Sequence, residues 1–191
     1  SPTPTPTPLP ADRLTRALQL MRWGRYEDAV ELLQGLVEDP GAMPWQADAL
    51  YSLGQAALHA GRSEEAAQAF SRLLESYPEY PHADHSRAWL AKALENSGRY
   101  ADAVAQLEKY LANHPEIADE IYQWIGGLYT ALAEHTQAAE TYLRAAEHAP
   151  RLFLEVQNRE ARARALLAGG DLAGAIAEYD HILSLSRLAE Y

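Results

Sequence analysis

The chain has 191 residues, 48% hydrophobic and 23% charged, an ordinary globular balance with enough length for a sizeable core. With 16 Lys and Arg against 27 Asp and Glu, the net charge of -11 disfavours nucleic acid and anionic membrane surfaces, and no local basic patch offsets it. The absence of Cys excludes disulfides, thiolate metal sites and Cys nucleophiles together, and no apolar run approaches the roughly 18 residues of a membrane span.

Residues 1–10, Ser-Pro-Thr-Pro-Thr-Pro-Thr-Pro-Leu-Pro, read as an extended Thr-Pro-rich linker. Alternating proline fixes φ, removes N–H donors and pushes each preceding residue to extended geometry. A chain that opens on such a spacer, without Met, is expected to be a fragment or a processed form. From Ala11 onward Ala (36 residues in the whole chain) and Leu (27) dominate, whereas Val and Ile total nine. That bias favours helices and leaves too few β-branched residues for a large sheet.

One pattern then recurs. Gly24-Arg25-Tyr26-Glu27-Asp28-Ala29 is echoed by Gly61-Arg62-Ser63-Glu64-Glu65-Ala66 and Gly98-Arg99-Tyr100-Ala101-Asp102-Ala103. Weaker copies follow at Ala133 to Ala138 and at Gly170 to Ala175. The anchoring residues Ala29, Ala66, Ala103, Ala138 and Ala175 lie 37, 37, 35 and 37 residues apart, a period that signals a repeat array. Each unit reads as two helices. Leu50, Leu53, Ala57 and Leu58 give the first its apolar face, and a Gly ends it with a left-handed cap. Acidic residues then suit the N-terminus of the second helix, whose stripe of Ala66, Phe70 and Leu73 stops near Pro78. Pro40, Pro115 and Pro150 end its counterparts.

These residues resemble the tetratricopeptide repeat (TPR), which implies an all-α right-handed superhelical solenoid of about five helix-turn-helix repeats. Repeat 2 matches through Leu50, Leu53-Gly54, Ala57, Ala66, Phe70, Leu73 and Pro78; repeat 4 through Tyr122, Ile125-Gly126, Tyr129, Ala138, Tyr142, Ala145 and Pro150. Repeat 3 has Arg87 where a bulky residue is usual. Repeat 5 departs further, with Arg159 and Arg162 at apolar positions, so its first helix is expected to pack atypically. The TPR domain is placed at 11–191, with repeats at about 11–43, 47–80, 84–117, 119–152 and 156–189. The surplus over the usual repeat length is assigned to the inter-repeat turns.

A narrower resemblance lies in Phe70 to Pro78 followed by His82 to Leu90, which is similar to repeats of bacterial outer-membrane assembly lipoproteins and cell-division coordinators. The Thr-Pro spacer and Arg-Ala-Arg-Ala-Leu in repeat 5 also look like the helical N-terminal region of bacterial lytic transglycosylases. These likenesses imply an extracytoplasmic location, in the periplasm or cell envelope. They also carry an alternative function: a helical accessory domain of a peptidoglycan lytic transglycosylase whose catalytic domain lies downstream.

Catalytic readings fare poorly. Glu75-Ser76 is the dipeptide that carries the acid in lytic transglycosylases, but here it ends a second helix before Pro78, where the repeat alone explains it, and Gly-Leu-Met-Gln is missing. His82 and His85 flank Asp84 and, with His59, could present imidazoles to a metal. No further ligand is fixed in register, so they read as exposed helix-start residues, and no metal or cofactor is expected. Gly126-Gly127 reads as close packing within a helix and Gly169-Gly170 as a helix-ending turn. Trp89 and Trp124 share one repeat position, which assigns them to packing between units; Trp23 and Trp45 are expected to clasp inter-repeat junctions.

The resemblance implies a groove lined by the first helices. Carried over residue by residue, its positions are Asp48, Tyr51, Gln55 and His59 in repeat 2; His85, Lys92, Glu95 and Asn96 in repeat 3; Glu120, Gln123 and Thr130 in repeat 4; and Gln157, Glu160 and Arg164 in repeat 5. This lining lacks the Lys-Asn-Asn clamp with which chaperone-binding members grip a C-terminal carboxylate. The expected function is a non-catalytic scaffold that binds a protein or peptide. A last repeat carrying Leu183, Leu185 and Leu188, with no polar solvating helix after it, is expected to want a cap, either more protein downstream or a second copy, and the isolated fragment is expected to self-associate through this end.

Overall fold

The computed structural model describes residues 8–188, which form ten α-helices and two short 3-10 turns. The chain divides between Gly98 and Arg99 into two compact units. The first contains α1 (Pro10–Arg22), α2 (Tyr26–Val37), α3 (Gln46–His59), α4 (Ser63–Ser76) and α5 (Ala83–Asn96). The second contains α6 (Tyr100–Leu111), α7 (Ala118–Ala131), α8 (His135–His148), α9 (Leu152–Ala168) and α10 (Leu172–Leu188). Within each unit every helix packs on the next, and in the first unit α3 also touches both α1 and α5. This is the all-α repeat solenoid the sequence implies.

The turns between first and second helices share one construction. Gly24, Gly61, Gly98 and Gly170 hold φ between 72° and 84°. After α1, the Arg25 N–H donates to the Leu20 carbonyl (2.9 Å) and the Gly24 N–H to that of Met21 (3.0 Å), the paired bonds of a Schellman turn. The same pair recurs after α3, α7 and α9. Arg25–Asp28, Arg62–Glu65 and Arg99–Asp102 ion pairs (2.5, 2.7 and 2.7 Å) then clip the first turn of α2, α4 and α6.

Close packing is set by small residues. A Cβ on Gly54 would lie 2.5 Å from the Phe70 ring, and one on Gly126 would lie 2.8 Å from the Tyr142 ring. An aromatic of the second helix thus rests directly on the backbone of the first. Gly126 is the packing position expected of it. Gly169-Gly170 forms the helix-ending turn, with Gly170 at φ 84°. Phe70, Leu33, Leu36, Leu50 and Leu73 are fully buried in the first unit, as are Leu107 and Leu128 in the second.

Several details differ from the sequence reading. Pro10 is the first residue of α1, because a proline at a helix start loses no hydrogen bond; the helix therefore begins inside the expected spacer, whose residues 1–7 lie outside the described ones. The surplus length lies in the inter-repeat turns assigned to it, where it forms two 3-10 turns, Pro40–Trp45 and Pro115–Ile117. In the first, Asp39 accepts from the Gly41 N–H (2.9 Å) and pairs with Arg13 of α1 (2.7 Å). Helix α9 starts at Leu152, four residues before the expected boundary at 156. Trp23 does not clasp a junction: at the end of α1 its indole is largely exposed, with the Arg16 guanidinium 5.3 Å from the ring. Trp89 and Trp124 are both half-buried.

Arg159 and Arg162 explain the atypical packing of repeat 5. Both reach from α9 to the buried Glu178 carboxylate of α10, Arg159 Nη1 at 2.8 Å and Arg162 through its own Nη1; Arg159 Nε also bonds Glu155 at 2.9 Å. Burial by itself would lower the Arg159 pKa, but the bonds and charges of Glu178 and Glu155 outweigh it and raise the value overall. The cations that replace apolar residues are therefore neutralised across the helix pair.

Candidate functional site

The helix pattern puts the candidate groove residues on first helices, where polar side chains face away from the following second helix. In the first unit these helices are α1, α3 and α5. Asp48, Tyr51, Gln55 and His59 follow one another on α3 at helical spacing; His85, Lys92, Glu95 and Asn96 do the same on α5.

Tyr51 is the centre of a cluster rather than an isolated platform. Its ring stacks on His82 (5.2 Å between centroids, 24°), lies 5.9 Å from Tyr80 and meets Phe70 edge-on at 6.3 Å. The Tyr80 hydroxyl donates to Asp48 Oδ1 at 2.7 Å, and the Tyr77 hydroxyl donates to Gln46 Oε1 at 2.9 Å. The segment between α4 and α5 thereby folds over the start of α3. Burial, then the Asp48 hydrogen bond and charge, push the Tyr80 pKa well above the usual phenol range, so its hydroxyl stays a donor throughout the neutral range. His82 is thus an aromatic packing group, and no group of three or more metal-ligating side chains converges among the described residues.

The remaining positions fall into three kinds. His59 is exposed but stacks on Tyr26 of α2 (4.7 Å, 17°), while Gln55 is half-buried. Lys92 pairs with Glu95 on its own helix at 2.9 Å, and the Thr130 hydroxyl donates to the Gly126 carbonyl of α7 at 2.9 Å. His85, Asn96, Glu120, Gln157, Glu160 and Arg164 are exposed, and Gln123 is half-buried. In the second unit Glu120, Gln123 and Thr130 lie on α7, and Gln157, Glu160 and Arg164 on α9. Glu75 and Ser76 end α4, both exposed.

The reading of the sequence stopped one repeat short. Counting the same register back by 37 residues carries Tyr51 to Leu14, Gln55 to Leu18 and His59 to Arg22 on α1. Leu14 is half-buried and Leu18 is 41% exposed. Beside the polar face of α3, helix α1 therefore contributes apolar side chains that nothing in its own unit covers completely. The spacing alone contained this signal.

Second helices bound a different kind of cleft. Between α2 and α4 lies one of about 380 Å³, lined by Gln34, Leu50, Leu53, Glu65 and Arg72; its repeat-equivalent between α6 and α8 holds about 230 Å³ and is lined by Glu108, Tyr122, Ile125, Gln137 and Arg144. The first is spanned by a Gln34–Glu65 hydrogen bond and an Arg72–Glu38 ion pair at 2.6 Å. In the second, Ala112 replaces the Glu38 equivalent, and the Arg144 guanidinium instead lies 5.9 Å from the Tyr122 ring.

Comparison with known proteins agrees with this geometry. Solved structures of similar fold include a MamA protein (TM-score 0.73, 17% identity, covering 96% of this chain and 95% of that one). MamA residues 41 to the end from Desulfovibrio magneticus RS-1 give a TM-score of 0.67 at 19% identity, covering 97% and 99%. TPR-like repeats of a kinesin light chain from Podosopora anserina give 0.63 at 18%, covering 97% and 99%. At these identities the likeness concerns the fold. No curated protein matches the chain at the level of sequence. The tetratricopeptide repeat model matches residues 14–81 and 89–153, most of the chain, and ends where α9 begins. The chain belongs to the tetratricopeptide repeat family.

Proposed function

We propose that this protein is a non-catalytic scaffold that binds a peptide segment of a protein partner along the first-helix face of its first unit. TPR domains mediate protein interactions, and no catalytic family is indicated. The observation that carries the reading is the composite face of α1, α3 and α5. Leu14 and Leu18 offer apolar contact, the Asp48–Tyr80 and Tyr51–His82 cluster offers preorganised hydrogen-bonding and aromatic groups, and α5 supplies charge. An amphipathic segment fits such a surface, with apolar anchors toward α1 and polar groups toward α5. The expected site is in the bacterial envelope; the support is the spacer and the sequence likeness of Phe70 to Leu90 to envelope repeats.

The test is selection of peptides from a random displayed library on the intact chain. Enriched peptides should bind at least tenfold more weakly to Leu18→Asp and Tyr51→Ala variants, and unchanged to Arg72→Glu, which alters the opposite cleft. Failure to enrich any sequence, or peptides indifferent to Leu18→Asp, would remove the face from consideration.

A further inference from the structure

Helix α10 carries an exposed apolar stripe, and at its centre the earlier second helices are covered. Leu172, Ile176, Tyr179 and Leu183 are 63%, 62%, 39% and 56% exposed. At the register of Ile176, the earlier second helices hold Val30, Ala67, Val104 and Ala139, all 5% exposed or less. Each is on a helix packed by the next first helix of its own unit: α2 by α3, α4 by α5, α6 by α7 and α8 by α9. On α10 that covering helix is missing among the described residues, and the side chains are larger. Tyr179 stands out for a local reason as well. Its partner position is Ala163, whereas Phe70 and Tyr142 rest on Gly54 and Gly126.

We infer that this stripe is a homodimer interface, α10 packing antiparallel on α10 of a second copy about a two-fold axis. Three observations favour a second copy. The stripe's spacings are 4, 3 and 4 residues, the same in either direction. A two-fold pairing therefore sets Leu172 against the partner's Leu183 and Ile176 against the partner's Tyr179. Head-to-tail stacking would instead need the outer face of α1, which is polar: Asp12, Thr15 and Gln19 stand where α3 has Ala49, Ser52 and Ala56. Those three α1 residues are exposed, so that face of α1 is solvated. Finally, the four side chains expose on the order of 400 Å² per copy, more than isolated apolar residues account for. Two copies bury roughly 800 Å², which with a polar rim reaches the lower range of specific interfaces and fits a weak dimer.

Sedimentation equilibrium of the full chain from about 1 to 500 µM tests this. The average mass should rise from 21.1 kDa toward twice that value and no further. Ile176→Asp and Leu172→Asp should weaken association at least tenfold with unchanged circular dichroism; the second puts an acid at a helix start, where it is favourable. Leu18→Asp should dimerise normally. Because each copy carries a charge of -11, added salt should tighten the dimer. A monomer at every concentration, growth past a dimer, loosening by salt, or α10 variants that associate like the parent would each overturn the assignment.

Discussion

Ala133 holds a φ of 58°, alone among the described non-glycine residues in being positive, at the turn where the other repeats have Gly24, Gly61, Gly98 and Gly170. The Cβ of an L-residue costs roughly 1 kcal/mol in that conformation. The Ala133→Gly variant should therefore be more stable by about 1 kcal/mol, raising the melting temperature by about 2–4 °C, read in a thermal melt. Gly54 poses the opposite constraint. The Gly54→Ala variant should lose about 1–3 kcal/mol in denaturant titration, because its Cβ meets the Phe70 ring at 2.5 Å. Adding Phe70→Leu should recover part of that loss, since repeat 1 pairs Ala17 with Leu33 at the same register and buries both. If the double variant were as unstable as the two single losses combined, the ring contact would not be the cause.

Across a helix pair, the buried charges of α9 and α10 set a different balance. Glu178 is 4% exposed and accepts from two guanidinium groups. Removing one member of a buried ion cluster strands its partners, whereas replacing the whole cluster by apolar groups removes the desolvation cost as well. The Glu178→Ala variant should lose about 3 kcal/mol in chemical denaturation. The triple change Arg159→Leu, Arg162→Leu and Glu178→Leu should lose less than the single one. A triple variant that is weaker than Glu178→Ala would show that the arginines contribute through packing of their stems rather than through charge. Repeat 5 thus keeps the helix-pair geometry while exchanging apolar contacts for an ion cluster, and this exchange accompanies the end of the matched family region at residue 153.

At the largest scale, the decisive contrast is between the first and last described helices. A repeat array relies on local and nearest-neighbour contacts, so a helix covered on one side only is the first to open. Helix α1 presents Asp12, Thr15 and Gln19 to solvent, whereas α10 presents Leu172, Ile176 and Tyr179. Hydrogen exchange should accordingly be faster in α10 than in α3 or α8 at low concentration. It should slow in α10 as concentration rises, with little change in α1. Equal protection of α10 at all concentrations would point to a helix stable without a partner. The candidate peptide face lies in the other unit, so binding at Leu18 and Tyr51 and association at Ile176 can be tested independently.

The solenoid was legible because periodicity is a local property. Gly at a left-handed cap, Ala at the helix crossing and Pro after the second helix each act within one repeat, and their return every 35 to 37 residues announces the array. The same register located the first-helix face, and carried back one repeat it also reaches Leu14 and Leu18. What periodicity does not contain is the fate of a side chain at its position. Only tertiary structure decided that Tyr51 is held by His82 and Tyr80, and that Glu178 receives Arg159 and Arg162. Those outcomes depend on residues up to 31 positions apart, brought together by packing. The sequence determined which faces the helices present; the fold determined which side chains on them remain available.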